Sequence, residues 1–291
     1  MKKAFLQLHT AVFLAGFTAI LGKLITLNEG LLVWYRLLFT ILILGIFHWW
    51  QGKLKIGFKE ALKVMGVGFV IAIHWVAFYG SVKYGNISVG VVCLSGSGFF
   101  TALIEPLIMK RRINYFELCM GILALTGIYI IFDFHPQYKT GILFGIVSAL
   151  GASIFPIFNK QLVMRHSPRV LTFLELSGGF IMLSCILPFY LLFFPATYFI
   201  PTTSDLGWLM ILSVICTILA FELQLNSLKR VTAFTANLTY NLEPVYGIIL
   251  AFIFFGESRN FHWQFYLGLL LILMAVFLQM FRLRFHAMKS T

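Results

Sequence analysis

"NLTYNLEPVYGIILAFIFFGE" occupies residues 237–257. It is apolar along most of its length, yet Glu243 stands beside Pro244 near its middle. As a membrane-crossing helix it carries two penalties at one point. An acidic residue at the centre of such a helix costs about 2.5–3.5 kcal/mol on insertion scales. A proline leaves the carbonyl one turn earlier without its donor, roughly 3 kcal/mol in a soluble helix. Polar, bent points of this kind are tolerated in lipid where they face protein or a water-filled cavity.

The rest of the chain puts this segment in a membrane. Of 291 residues, 60% are hydrophobic and 11% charged, against about 25% charged in soluble domains. Mean hydropathy is +0.93. The net charge of +12 does not point to nucleic acid, because the cations sit in short loops between apolar stretches. Cys93, Cys119, Cys185 and Cys216 all lie inside apolar segments with no CxxC spacing. They read as small core residues, and the chain calls for no metal or cofactor. The N-terminal "MKKAFLQLHTAVFLAGFTAILGKLI" is basic and then apolar, but too long for a signal peptide and without a small-residue cleavage site. It reads as a retained first span.

A crossing helix needs about 20 mostly apolar residues. The spacing predicts spans over 5–26, 31–49, 64–82, 87–109, 114–134, 140–162, 171–194, 206–228, 232–256 and 262–284. No strand-period alternation is present, so the expectation is an all-α membrane protein of ten transmembrane helices. Lys and Arg set the orientation. Of the cations outside the spans, Lys83, Lys139 and Arg259 fall on one side and all others on the side of the N-terminus. Both termini are therefore expected in the cytoplasm.

The two halves resemble each other. "SVKYGNISV" (81–89) matches "SLKRVTAFT" (227–235), and "GILALTGIYII" from Gly121 matches "GLLLILMAVFL" from Gly268. "LGKL" (21–24) resembles "FNKQL" (158–162) around Lys23 and Lys160. This divides the chain into repeats at 1–136 and 137–291. Each holds five spans, an odd number, so the second is inverted relative to the first. Inverted repeats are the architecture of many secondary transporters, with substrate near the midplane.

Ten spans in two inverted five-helix repeats resemble the drug/metabolite transporter superfamily, specifically its EamA-domain family. The likeness rests on Arg36 in "WYRLLFTILIL", on "HWVAFYGSVKY" and "FELQLNSLKRVTA", and most specifically on "LEPVYGIILAFIFFGE" followed by "YLGLLLILMAV". The resemblance implies a multi-pass carrier of the cytoplasmic membrane, usually an exporter of amino acids, other metabolites or drugs. Its partners would be a small-molecule substrate and the lipid bilayer, with proton coupling as a candidate. The family usually shows a proline in both repeats; here the first half has "SGSG" instead.

In the repeat register, Glu243 and Pro244 fall opposite that run, Ser95, Gly96, Ser97 and Gly98. Glycines weaken a helix through backbone freedom, and proline through the missing donor. Those four residues, Pro156 and Pro244 are the candidate hinges. Glu243, Tyr240 one turn before it, His74, Trp75, Asn159 and Arg36 are the candidate substrate- or proton-binding residues. Each has a bland alternative. His74 suits a hydrogen-bonded core site as well as a ligand. Arg36 can snorkel outward or pair with Glu29, and Lys23 and Lys160 can snorkel. Glu175 and Glu222 are expected to pair near Arg169 and Lys229, and Glu105 near Lys110–Arg112. Asn237 and Asn241 share the segment with Glu243. An intramembrane enzyme or lipid-modifying protein is the alternative function, but no H-E-x-x-H, G-x-S-x-G, nucleotide loop or paired-Asp motif occurs.

Overall fold

The computed structural model describes residues 2–51, 56–133, 138–231, 236, 239–240, 242–256 and 262–289. Among these there is no strand. The helices are α1 (Lys2–Leu24), α2 (Glu29–Gln51), α3 (Phe58–Tyr84), α4 (Ile87–Leu94), α5 (Ser97–Met109) and α6 (Tyr115–Asp133). There follow α7 (Lys139–Leu162), α8 (Pro168–Phe193), α9 (Thr203–Ser213), a π-helical segment (Val214–Leu219), α10 (Ala220–Leu228), α11 (Glu243–Phe255) and α12 (Trp263–Lys289).

Among the described residues, seven stretches are long and apolar enough to cross a membrane: α1, α2, α3, α4 with α5, α7, α8, and α9 through α10. Shorter apolar helices lie in α6, α11 and α12. The physical reason for helix throughout is that lipid offers the backbone no hydrogen-bond partners. Local chemistry marks the starts. Asn86 accepts from the Val89 amide at the head of α4. Thr202 and Asp205 form a reciprocal capping box at the head of α9. Ser167 precedes Pro168 at the head of α8, where proline loses no helix bond.

Contacts between connecting segments define two ends of the bundle. At one, the Thr26 amide donates to Asp205 Oδ1 at 2.8 Å, Lys83 Nζ to the Ile25 carbonyl at 2.8 Å, and Asn28 Nδ2 to the Phe194 carbonyl at 3.1 Å. At the other, Arg169 pairs with Glu222 at 3.0 Å and Arg165 with Glu60 at 3.8 Å. There too, Lys160 Nζ donates to the carbonyls of Leu228 and Val231, each at 2.6 Å. The α1–α2 turn lies at the Asp205 end and α1 begins at the Arg169 end, whereas α7 begins beside Gly85 at the Asp205 end. The first helix of each half therefore runs in the opposite direction. Helix neighbours repeat this relation: α1 packs on α10 as α7 packs on α3, while α2 meets α8, α4 meets α11 and α6 meets α12.

Three elements differ from the regular spans that hydropathy predicts. The fourth span is two helices: the Ser95 and Gly96 amides turn back to the carbonyls of Val92 and Cys93, three residues earlier, at 3.0 Å each. The eighth contains the π segment, where Thr217 Oγ1 donates to the Leu212 carbonyl five residues back. In the ninth, a turn from Thr239 to Leu242 precedes α11, whose first residues are Glu243 and Pro244. Pro156, by contrast, lies inside an unbroken α7.

Backbones approach closely where glycines permit it. A Cβ on Gly68 of α3 would lie 1.6 Å from the Glu175 carbonyl oxygen of α8, and one on Gly178 would lie 2.3 Å from the Met65 carbonyl. Small residues at such crossings are how membrane helices gain van der Waals contact without a hydrophobic driving force. One large apolar core spans the bundle. A second cluster, including Leu8, Val64, Val163, Leu171, Leu174, Leu225 and Leu228, closes the Arg169 end.

Candidate functional site

Between the two halves lies a cavity of about 80 Å³. It is lined by α1 (Ala15, Thr18), α2 (Arg36), α3 (His74, Trp75, Phe78), the α4–α5 break (Leu94, Ser95, Ser97) and α7 (Ala152, Phe155, Pro156). Cys216 of the π segment, α10 (Ala220, Phe221, Gln224), Tyr240, Glu243 and Pro244 complete the wall. At 1.5 Å per residue, His74 is about 15 Å from the Tyr84 end of α3, near mid-bilayer. The volume is small beside the roughly 300–1,000 Å³ of drug-sized pockets. In this conformation it has room for no more than waters or a very small solute.

Arg36 is 2% exposed. It neither snorkels nor pairs with Glu29, whose carboxylate instead accepts from Tyr190 OH. Its Nε donates to Thr217 Oγ1 at 2.8 Å, one Nη to Tyr79 OH at 2.9 Å and the other to the Cys216 carbonyl at 3.4 Å. The guanidinium carbon lies 3.5 Å from the Trp75 ring centroid. The π turn is what presents the Thr217 hydroxyl and the Cys216 carbonyl together; single π turns often mark functional sites. Every partner is neutral, so stacking and dipoles stabilise the cation while it remains without a counter-ion.

Glu243 is buried at the start of α11. Among the described residues its carboxylate makes no ion pair or side-chain hydrogen bond. Arg36 is near enough to act on it electrostatically without touching it. A guanidinium and a carboxyl group thus line one small volume and are left unjoined.

Aromatic rings form the rest of the wall. Trp75 meets Phe221 edge-on at 5.6 Å, Phe155 stacks on Phe221 at 6.4 Å, and His74 lies 5.7 Å from Phe155. His74 Nδ1 meets the Ser148 carbonyl at 2.8 Å. The Ser148 hydroxyl lies 2.9 Å from the same nitrogen; a carbonyl only accepts, so a hydrogen on Nδ1 satisfies it.

The cavity therefore gathers Arg36, His74, Trp75, Ser95, Ser97, Pro156, Tyr240, Glu243 and Pro244. It leaves out Gly96, Gly98 and Asn159. Asn159, one turn beyond Pro156, is 1% exposed and hydrogen-bonded to Glu175. Glu175 itself does not pair with Arg169, which takes Glu222 instead. Asn237 and Asn241 lie outside the described residues. Sequence reading missed Gln224, buried in the wall, and Tyr79 and Thr217, which hold Arg36. Gln224, seven residues beyond Thr217, follows Glu222 in "FELQLNSLKRVTA", and its polarity in an apolar run was the available signal.

The sequence signature of the EamA-like transporter family matches residues 2–133 and 139–281. The chain belongs to that family. Among its relatives, an "uncharacterized transporter" of Archaeoglobus fulgidus is 28% identical over 151 residues, 52% of each chain. A second from that organism is 27% identical over 121 residues, 43% of its length. The chain thus spans about half of these archaeal relatives. The "uncharacterized transporter YetK" of Bacillus subtilis is 22% identical over 276 residues, 89% of this chain and 81% of that protein. A crystal structure superposes with a TM-score of 0.65 at 16% identity, over 94% of this chain and 96% of the other; that likeness shows the fold. The EamA-like transporter is thus a multi-pass membrane protein whose cavity sits where the two matched segments meet.

Proposed function

We propose that the protein is a secondary carrier, an exporter of small metabolites carrying both charge signs, amino acids before drugs. The supporting observation is the unjoined pair, Arg36 and Glu243, facing one aromatic-walled cavity. Arg36 retains donors for a substrate carboxylate, and Glu243 offers an acceptor for an ammonium group or a proton. The breaks at Ser95–Gly96 and before Glu243 adjoin that cavity, and α4 meets α11 directly. Bending there would open one end while the other stays closed, which is alternating access. The Arg169 end, rich in Lys and Arg, is read as cytoplasmic, in the cytoplasmic membrane of the cell.

The test begins with thermal stabilisation of purified protein by a metabolite panel, since a ligand of the folded state raises apparent stability. The best stabiliser is then used, labelled, in vesicle counterflow. A carrier exchanges it. Binding without exchange would favour the intramembrane-enzyme reading, and no stabilisation by any zwitterion would remove the amino-acid assignment.

A further inference from the structure

Beyond the cavity wall, Glu175 of α8 is 0% exposed and Asn159 of α7 is 1% exposed. Asn159 Nδ2 donates to Glu175 Oε2 at 3.4 Å. The other two oxygens, Glu175 Oε1 and Asn159 Oδ1, are buried and have no hydrogen-bond partner. While the carboxyl is ionised both are acceptors, and neither can satisfy the other. A proton on Oε1 changes this. A carboxylic acid and a primary amide are complementary: Nδ2–H to Oε2, and Oε1–H to Oδ1. One hydrogen then removes two unsatisfied buried atoms.

Among the described residues, no cation lies within ion-pair distance of Glu175 to take the proton's place. On α7, Lys160 is engaged by the Leu228 and Val231 carbonyls. On α8 and α10, Arg169 and Glu222 hold each other. On α3, Glu60 faces Arg165 and His166, Lys63 is exposed and His74 binds Ser148. On α2, His48 Nε2 meets the Arg169 carbonyl, Arg36 is held by the π segment, and Glu29 lies at the far end. A buried carboxyl with no counter-ion takes up a proton rather than remain charged.

The place is informative. Asn159 is one turn from Pro156 of the cavity, and Glu175 adjoins Leu171 and Leu174 of the cluster that closes the Arg169 end. We propose that Glu175 and Asn159 form a proton-binding site, separate from Glu243, in the closure between the cavity and the Arg169 end. The Asn159–Glu175 contact that bridges α7 and α8 requires the bound proton. When the two side chains part, water enters, the acid–amide ring opens and the proton passes to water. Closing takes one back from water. This coupling to opening rests on the carrier reading; occupancy of the site by a proton does not.

The experiment reads occupancy directly. The full chain in lipid nanodiscs is followed by infrared spectroscopy across pH, watching the protonated-carboxyl C=O stretch. Wild type and Glu243→Gln should show a neutral-pH band that Glu175→Gln loses. Asn159→Leu should shift that band, because the acid loses its acceptor. Glu175→Gln, a mimic of the neutral acid, should also keep wild-type thermal stability at neutral pH. The proposal is overturned if Glu175→Gln leaves the carboxyl bands unchanged, or if Asn159→Leu folds with the band unmoved. Stabilisation by sodium that vanishes in Glu175→Gln would equally overturn it, since a metal cation would then be the partner. Should Glu175→Gln fail to fold, the Asn159→Leu spectrum still decides. These outcomes are independent of whether counterflow is ever seen.

Discussion

Arg36 and Glu243 are each held in a different way, and their substitutions should fail differently. Arg36 is fixed by three hydrogen bonds and a ring. Arg36→Lys keeps the charge but loses the planar fork and the stacking surface. It should insert normally yet lose the thermal stabilisation given by a zwitterionic ligand; undiminished stabilisation would show that the guanidinium does not touch substrate. Glu243 has no partner among the described residues to lose. Glu243→Gln, nearly isosteric and unable to ionise, should leave stability close to wild type. Counterflow should fall by roughly tenfold or more, equivalent to about 1.4 kcal/mol, and should no longer vary with pH. Normal counterflow at every pH would remove Glu243 from both the proton and the substrate roles.

At the scale of elements, the tightest crossing is α3 against α8, and two glycines of α3 test it. Gly66 has open space where a Cβ would go, whereas Gly68 has the Glu175 carbonyl at 1.6 Å. Gly66→Ala should be neutral or stabilising by about 0.5–1 kcal/mol, from reduced backbone freedom. Gly68→Ala must push the helices apart and should cost about 1–3 kcal/mol, as overpacking does. Equal melting temperatures for the two variants would mean that the crossing is looser than described. The π segment offers a second test. Thr217→Val removes the hydroxyl that both bonds the Leu212 carbonyl and receives Arg36 Nε. It should weaken ligand stabilisation more than global stability, and an effect on stability alone would make the π turn structural.

For the whole molecule, the antiparallel course of the two halves has a consequence for topology. α1 begins at the end that carries Arg165, Arg169 and Lys229, and the proposed orientation, read from positive-inside bias, has that end in the cytoplasm. Reporters fused to either terminus should be active only as cytoplasmic fusions. A C-terminal reporter active outside the membrane would break the pairing of α6 with α12 as equivalent, inverted helices. The cavity lies between the Asp205–Thr26 contacts at one end of the bundle and the apolar cluster around Leu171 at the other.

The sequence alone determined the solvent, the element type and the symmetry. Long apolar runs leave a lipid-exposed backbone no choice but helix, loop cations alternate by side, and matching segments such as 81–89 and 227–235 mark two related halves. It also marked the break opposite Glu243, because glycine and proline act locally. The partners of charged groups were settled only by the fold. Arg36 lies nearest Glu29 along the chain but meets Thr217 and Tyr79, since the π turn brings a hydroxyl and a carbonyl from a distant helix. Glu175 has Arg169 two turns away on its own helix, yet faces Asn159 on α7. Sequence spacing orders neighbours along one helix. Which side chains share a buried volume depends on how helices cross, and here glycine contacts such as that of Gly68 with the Glu175 carbonyl set that crossing.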